Sequence, residues 1–391
     1  MPIPKIFKIT LFAFGFRAFF LLAGMAALFL LVLWTRLYGG DLSINNYYPA
    51  FAWHAHEMLL GYSVAVIAGF LLTAVRNWTG KPTPSGGKLA ILCLLWILGR
   101  LLPFFSGVLS DSLIALVDMA FLPVLAWQIS LPIMRAKNYK SLIFVGLLLM
   151  MTLGNGLIHA EILGFQESME KLGVKIIVMA IILMILVIAG RVFPFFTERG
   201  LPDATPQRKP VIDLLSIGSA MLVFILDIFE VTGWVLALAA LVAVTTSLLR
   251  ISGWYVNRIW SVSLLWILYL GYGWIITGFF LMALSAYAMV LPSLALHAFT
   301  VGGVGVITLG MMARASLVYT GRVLKASRTM VVGFLLINLA ASVRILMPIA
   351  FPAEYAHAVN LSAVLWLASF TIFLFVNVPI LTRPRKDGRP G

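Results

Sequence analysis

Two histidines stand two residues apart in Trp53-His54-Ala55-His56-Glu57-Met58. A third opens Leu296-His297-Ala298-Phe299-Thr300-Val301-Gly302-Gly303-Val304-Gly305, and a fourth closes Gly154-Asn155-Gly156-Leu157-Ile158-His159-Ala160-Glu161. Neutral imidazoles of this kind ligate transition metals and haem iron. On a regular helix, residues two apart point about 200° from one another, so His54 and His56 cannot face one ion. Either the helix is irregular there or the two rings serve different partners. Glu57 shares a face with His54 and is placed to orient it by an outer hydrogen bond. Asn155 stands in the same relation to His159, with Glu161 on another face. His54, His56, His159, His297, Glu57 and Glu161 are therefore the candidate metal ligands. Gly302, Gly303 and Gly305 leave a bare surface below His297, fit for a closely packed helix or for a planar macrocycle. Packing explains the glycines but not an intramembrane histidine, which favours haem axial ligation with the partner imidazole on the His54/His56 segment. His357, in Tyr355-Ala356-His357, reads as a solvated loop residue.

These residues must be positioned by apolar helices. Of the 391 residues 62% are hydrophobic and 11% charged, and the mean hydropathy is +1.04. No soluble domain of this length has such a composition, and the apolar runs recur near the roughly 20 residues that cross a bilayer. The formal charge of +14 does not indicate nucleic acid, because the basic residues fall in short loops between spans. The lone Cys93 lies within an apolar run, which excludes a disulfide framework and a thiolate cluster. Lys5, Lys8 and Arg17 precede a first apolar stretch as long as a full span, with no small-residue cleavage site after it. A retained first helix is expected.

Twelve spans are predicted, over roughly 18–38, 55–75, 88–105, 112–134, 139–162, 172–192, 211–229, 232–250, 260–284, 292–313, 328–349 and 357–381, forming one polytopic domain over 1–391. With both termini inside, 23 Lys and Arg fall on inner segments and only Arg36, Lys171, Lys175 and Arg344 on outer ones. This orientation brings all five histidines toward the outer face. Arg100 lies inside span 3, where an unpaired guanidinium costs several kcal/mol. Asp118, in span 4, would serve as its partner, and so would a haem propionate. Spans 2, 6 and 10 end alike, at Arg76-Asn77-Trp78-Thr79-Gly80, Arg191 through Thr197 to Gly200, and Arg314 through Thr320-Gly321. That echo suggests three four-helix repeats, an arrangement resembling the haem–copper oxidase core. The analogy concerns architecture alone, since the spans 6 and 7 that hold copper in those enzymes carry no histidine here.

No phosphate-binding Gly-Lys-Ser/Thr loop, dinucleotide fingerprint or Cys-x-x-Cys-His haem attachment is present. His54-Ala-His-Glu-Met-Leu-Leu-Gly61 with Ala68 to Gly80, Gly190-Arg-Val-Phe-Pro-Phe-Phe-Thr197, and the string from His297 to Arg322 together resemble the NnrS family. The resemblance covers nearly the whole chain. It implies a bacterial inner-membrane protein containing haem b, with copper as a further cofactor, linked to nitric oxide metabolism and resistance to nitrosative stress. It places the motif histidines His54, His56 and His297 at the cofactors. Ferrous haem binds nitric oxide tightly, and an outer-face site suits an uncharged gas arriving through lipid. Membrane lipid, nitric oxide and an electron donor are the implied partners, and whether nitric oxide is turned over, bound or sensed is left open. Haem would sit between spans 2 and 10, with His297 as one ligand, His54 or His56 as the other or as a copper ligand, and Arg100 as a propionate partner. A proton-coupled secondary transporter of a small solute is the alternative; it predicts a colourless protein with midplane charges.

Overall fold

The computed structural model describes residues 10–43 and 46–389. Lys5 and Lys8, counted above among the inner charges, lie outside the described residues. Without water to satisfy a backbone, the apolar runs close their hydrogen bonds within themselves as helices. Twelve helices among the described residues are long and apolar enough to cross a membrane. They are α1 Gly15–Tyr38, α2 Ala50–Thr79, α3 Gly87–Phe105, α4 Asp111–Arg135, α5 Tyr139–Ile162, α6 Met169–Gly200, α7 Pro210–Ile228, α8 Trp234–Trp254, α9 Ser263–Ser285, α10 Pro292–Val318, α11 Arg328–Ala350 and α12 Pro352–Thr382. Every predicted span has its helix. The differences are at the ends: α2, α6 and α12 begin or finish several residues beyond the apolar window, because a helix continues while its residues permit it, whatever their polarity.

Two compact units divide the chain. The first comprises residues 1–180, 315–324 and 373–391; the second comprises 181–314 and 325–372. Within the first, α1 packs along α2, α3 on α4, and α4 on α5. Arg17, completely buried, donates from Nη1 to the carbonyls of Leu381 at 2.7 Å and Arg383 at 2.9 Å, so this cation ties α1 to the end of α12 and the segment after it. Within the second, α7, α8, α9 and α10 pack in succession and α11 covers α10.

The most enclosed helices are α2, α10 and α6, with 83%, 78% and 72% of their apolar windows buried. These are the three spans that end alike in the sequence. α2 and α10 share more than an ending. Each begins as an α-helix that closes on a histidine, His56 or His297, and turns at once into a π-helical stretch, Glu57–Ser63 or Ala298–Gly305. Each then resumes as α-helix. Gly80 and Gly321 follow their histidines by 24 residues, in the left-handed region at φ 64° and 66°. The threonine before each donates to the carbonyl four residues back, Thr79 to Val75 at 2.6 Å and Thr320 to Ser316 at 2.5 Å. α6 has neither histidine nor π-turn. A π-turn widens the helix by one residue per turn and recurs at functional sites.

A side chain at Gly80 would hold its backbone in a conformation that costs L-residues about 1–2 kcal/mol. Gly80→Ala is expected to lower stability by that amount in SDS-titration unfolding. Gly146→Ala, on an open helical position, should leave stability unchanged or raise it.

Candidate metal centre

The π-turn of α2 sets the site. His56 is fully buried, with Nδ1 3.1 Å from Glu57 Oε1 and Nε2 3.1 Å from Asp118 Oδ2 on α4. Nε2 also lies 3.1 Å from Asn155 Oδ1 and 3.0 Å from the Tyr48 hydroxyl. His159, on α5, approaches the same Asp118 Oδ2 with Nε2 at 3.0 Å, while its Nδ1 is 3.1 Å from the Tyr47 hydroxyl. Asn155 donates from Nδ2 to that oxygen at 2.8 Å. Asp118 Oδ1 forms an ion pair with Arg100 Nη2 on α3. The guanidinium also donates from Nη1 to the Leu60 carbonyl at 3.1 Å and holds Glu57 Oε2 3.0 Å from Nε.

Small residues make this gathering possible. A Cβ on Gly99 would stand 2.8 Å from Asp118 Oδ1, and one on Gly61 would stand 3.0 Å from Glu57 Oε2 and 3.2 Å from Arg100 Cδ. Tyr47 and Tyr48, from the segment before α2, cover the two imidazoles. Burial, with the Asp118 charge adding to it, holds the Tyr48 phenol well above its usual pKa. Burial and the charges of Asp111 and Asp118 raise Tyr47 likewise. Both hydroxyls keep their protons.

Two carboxylates, Glu57 and Asp118, share the single guanidinium of Arg100. Buried charge is tolerated only when compensated, so a proton held within the cluster or a bound cation supplies the balance. The donor set fits a cation. One ligand atom from each of His56, His159 and Asp118 lies within 4.8 Å of the other two, and ligand atoms sharing a tetrahedral ion at about 2.0–2.2 Å stand about 3.3–3.6 Å apart. Both Nδ1 atoms are held by other groups, Glu57 and Tyr47, which is how metal-binding imidazoles are oriented.

The candidate ligands thus separate. His56, His159, Glu57 and Arg100 come together, and Arg100 has the partner proposed for it in Asp118. His54 stacks on Trp34 with centroids 4.1 Å apart and rings at 11°, so the two neighbouring histidines do serve different partners. Glu57 contacts His56 and not His54, because the widened turn begins at Glu57 itself. Asn155 reaches Asp118 in place of fixing His159, a role that falls to Tyr47. Glu161 accepts from the Glu170 backbone N–H at 2.5 Å, capping α6. His357 is 79% exposed and pairs with Glu354.

His297 belongs to the second unit. Its Nδ1–H donates to the Ser293 carbonyl at 2.6 Å, leaving a lone pair on Nε2, which accepts from Arg344 Nη2 at 3.3 Å. The glycine surface below it is filled. Cβ atoms on Gly302, Gly303 and Gly305 would meet Trp274, Ile275 and Trp366 at 2.6–2.7 Å. Close helix packing uses these glycines, and a macrocycle does not fit against that face. Asp118, Tyr47 and Tyr48 are the site residues that sequence reasoning did not count as ligands or covers. The intramembrane position of Asp118 was the available signal, while nothing in the pattern of Tyr47-Tyr48 marked them.

Fold and site together define a polytopic helical membrane protein with a buried histidine–carboxylate centre. The sequence profile of the NnrS protein family matches residues 10–385, and the chain belongs to that family. No curated protein matches it.

Removing one partner of a buried ion pair typically costs about 3–5 kcal/mol. Asp118→Ala, which leaves Arg100 with Glu57 alone and takes from His56, His159 and Asn155 the oxygen they share, should lose stability on that scale in the same unfolding assay. Gly99→Val, which pushes Asp118 aside, should lose less.

Proposed function

We propose that the protein is a metal-dependent membrane protein of the nitric oxide response, holding a first-row transition ion, copper by family resemblance, at His56, His159 and Asp118. The observation that carries this reading is the convergence of two imidazole Nε2 atoms on one buried carboxylate oxygen, with both Nδ1 atoms held from behind. Two nitrogens and a carboxylate suit copper, iron and zinc alike; the absence of cysteine from the cluster argues against a soft thiolate centre. A redox-active ion bound there supplies a place where nitric oxide can coordinate or exchange an electron. The chain's own part is to orient the imidazoles through Glu57 and Tyr47, to fix Asp118 through Arg100 and Asn155, and to exclude water with Tyr48. We place the protein in a bacterial inner membrane, with both termini in the cytoplasm and the centre toward the periplasm. The charge distribution and the entry of nitric oxide through lipid support that orientation.

Haem b belongs to the same reading through the family resemblance. His297 has the tautomer of an axial ligand, but its glycine face is packed by Trp274, Ile275 and Trp366. An absorption spectrum of the detergent-purified protein, oxidised and dithionite-reduced, with metal analysis of the same sample, tests both cofactors. About one transition ion per chain is expected, lost in His56→Ala and His159→Ala and retained in His54→Ala. A Soret band that disappears in His297→Ala would establish haem at that residue and require the Trp274–Trp366 packing to open. A colourless protein without metal, after growth with both cofactors supplied, overturns the proposal in favour of proton-coupled transport.

A further inference from the structure

The counterpart of His56 in the second unit is His297, by its place before the π-turn and its distance from the terminal glycine. Each histidine segment has an arginine from the following long helix against it, the nearly buried Arg100 on α3 at Glu57 and Leu60, and the buried Arg344 on α11 at His297. The two arginines differ in what answers their charge. Arg100 meets Asp118 and Glu57. The residue after His297 is Ala298, where the residue after His56 is Glu57. No carboxylate among the described residues pairs with Arg344.

Arg344 is 7% exposed. Its Nη2 is used, donating to the Tyr355 hydroxyl at 3.0 Å and to His297 Nε2 at 3.3 Å. Its Nη1 is buried and has no hydrogen-bond partner. The Tyr355 oxygen accepts from Arg344, and the Ser293 and Tyr355 hydroxyls stand 3.5 Å apart, where either can donate. His297 cannot neutralise the cation, because its Nδ1–H is committed to the Ser293 carbonyl and it offers Arg344 only a lone pair. The place is lined by N–H and O–H donors around a buried positive charge, with no negative group to match.

We propose that Arg344 and Tyr355 form a binding site for a small planar monoanion of the carboxylate type, with two oxygens on one atom. Such an anion supplies in the second unit what Asp118 supplies in the first. A guanidinium edge and a neighbouring hydroxyl recognise a pair of oxygens, and a spherical halide satisfies only one of these donors at a time. This inference stands apart from the metal centre, since none of its residues belongs to it.

Thermal unfolding of the detergent-purified full chain, followed by tryptophan fluorescence, tests the site with sodium formate and sodium nitrite as probes. Sodium chloride at equal ionic strength is the reference. A ligand that binds only the folded state raises the midpoint in a saturable way. Formate and nitrite are expected to do so and chloride is not. Arg344→Gln should abolish the rise, and Tyr355→Phe should weaken the apparent affinity by about tenfold. Tyr355→Phe keeps the ring in place and decides the matter alone if Arg344→Gln does not fold. No saturable rise over chloride, or a rise unchanged in the folded variants, overturns the proposal.

Discussion

A single carboxylate in a medium that cannot solvate it governs the first unit. Asp118 takes Arg100 on one oxygen and His56, His159 and Asn155 on the other, so α2, α3, α4 and α5 are all tied to one side chain. In water these contacts would be worth little each. Inside a membrane helix bundle, every group that leaves the set strands another, and the cluster persists or fails as one. The glycines at 61 and 99 exist beside it because the charges must come within contact distance, and any side chain there would hold them apart.

The same physics explains what could be read from the residues alone. Helices in lipid have no alternative way to satisfy their backbone, so twelve apolar runs gave twelve helices. The need of Arg100 for a partner followed from its depth, and Asp118 was within reach of that argument. The side-chain geometry of the site was less accessible. A π-turn is set by local accommodation of one extra residue, not by any composition, and it decided that Glu57 serves His56 and not His54. The covering tyrosines come from a loop whose path depends on what it packs against. The glycines after His297 could be read two ways, and the residues that choose between them, Trp274, Ile275 and Trp366, lie far away in the chain.

The family relationship and the site rest on different grounds. Family membership follows from the sequence match over nearly the whole chain. The centre follows from atoms that converge, and Asp118 enters it although it stands in none of the recognisable strings. The shared layout of α2 and α10 indicates one helix pattern used twice, with an acidic residue after the histidine in one copy and alanine in the other. Divergence of that kind lets two similar scaffolds carry opposite charge demands, one short of a cation and the other short of an anion.

Tyr47 and Tyr48 have a bearing on assembly. They belong to the segment between α1 and α2, and their hydroxyls rest on His159 and His56, which are 1% and 0% exposed. An ion seated beneath them has no open route to the surrounding water. Its exchange would therefore follow the opening rate of that loop and not the intrinsic lability of its bonds. Occupancy would then record the conditions under which the chain matured, and a chelator added afterwards would strip the centre slowly, however tightly it binds the free metal.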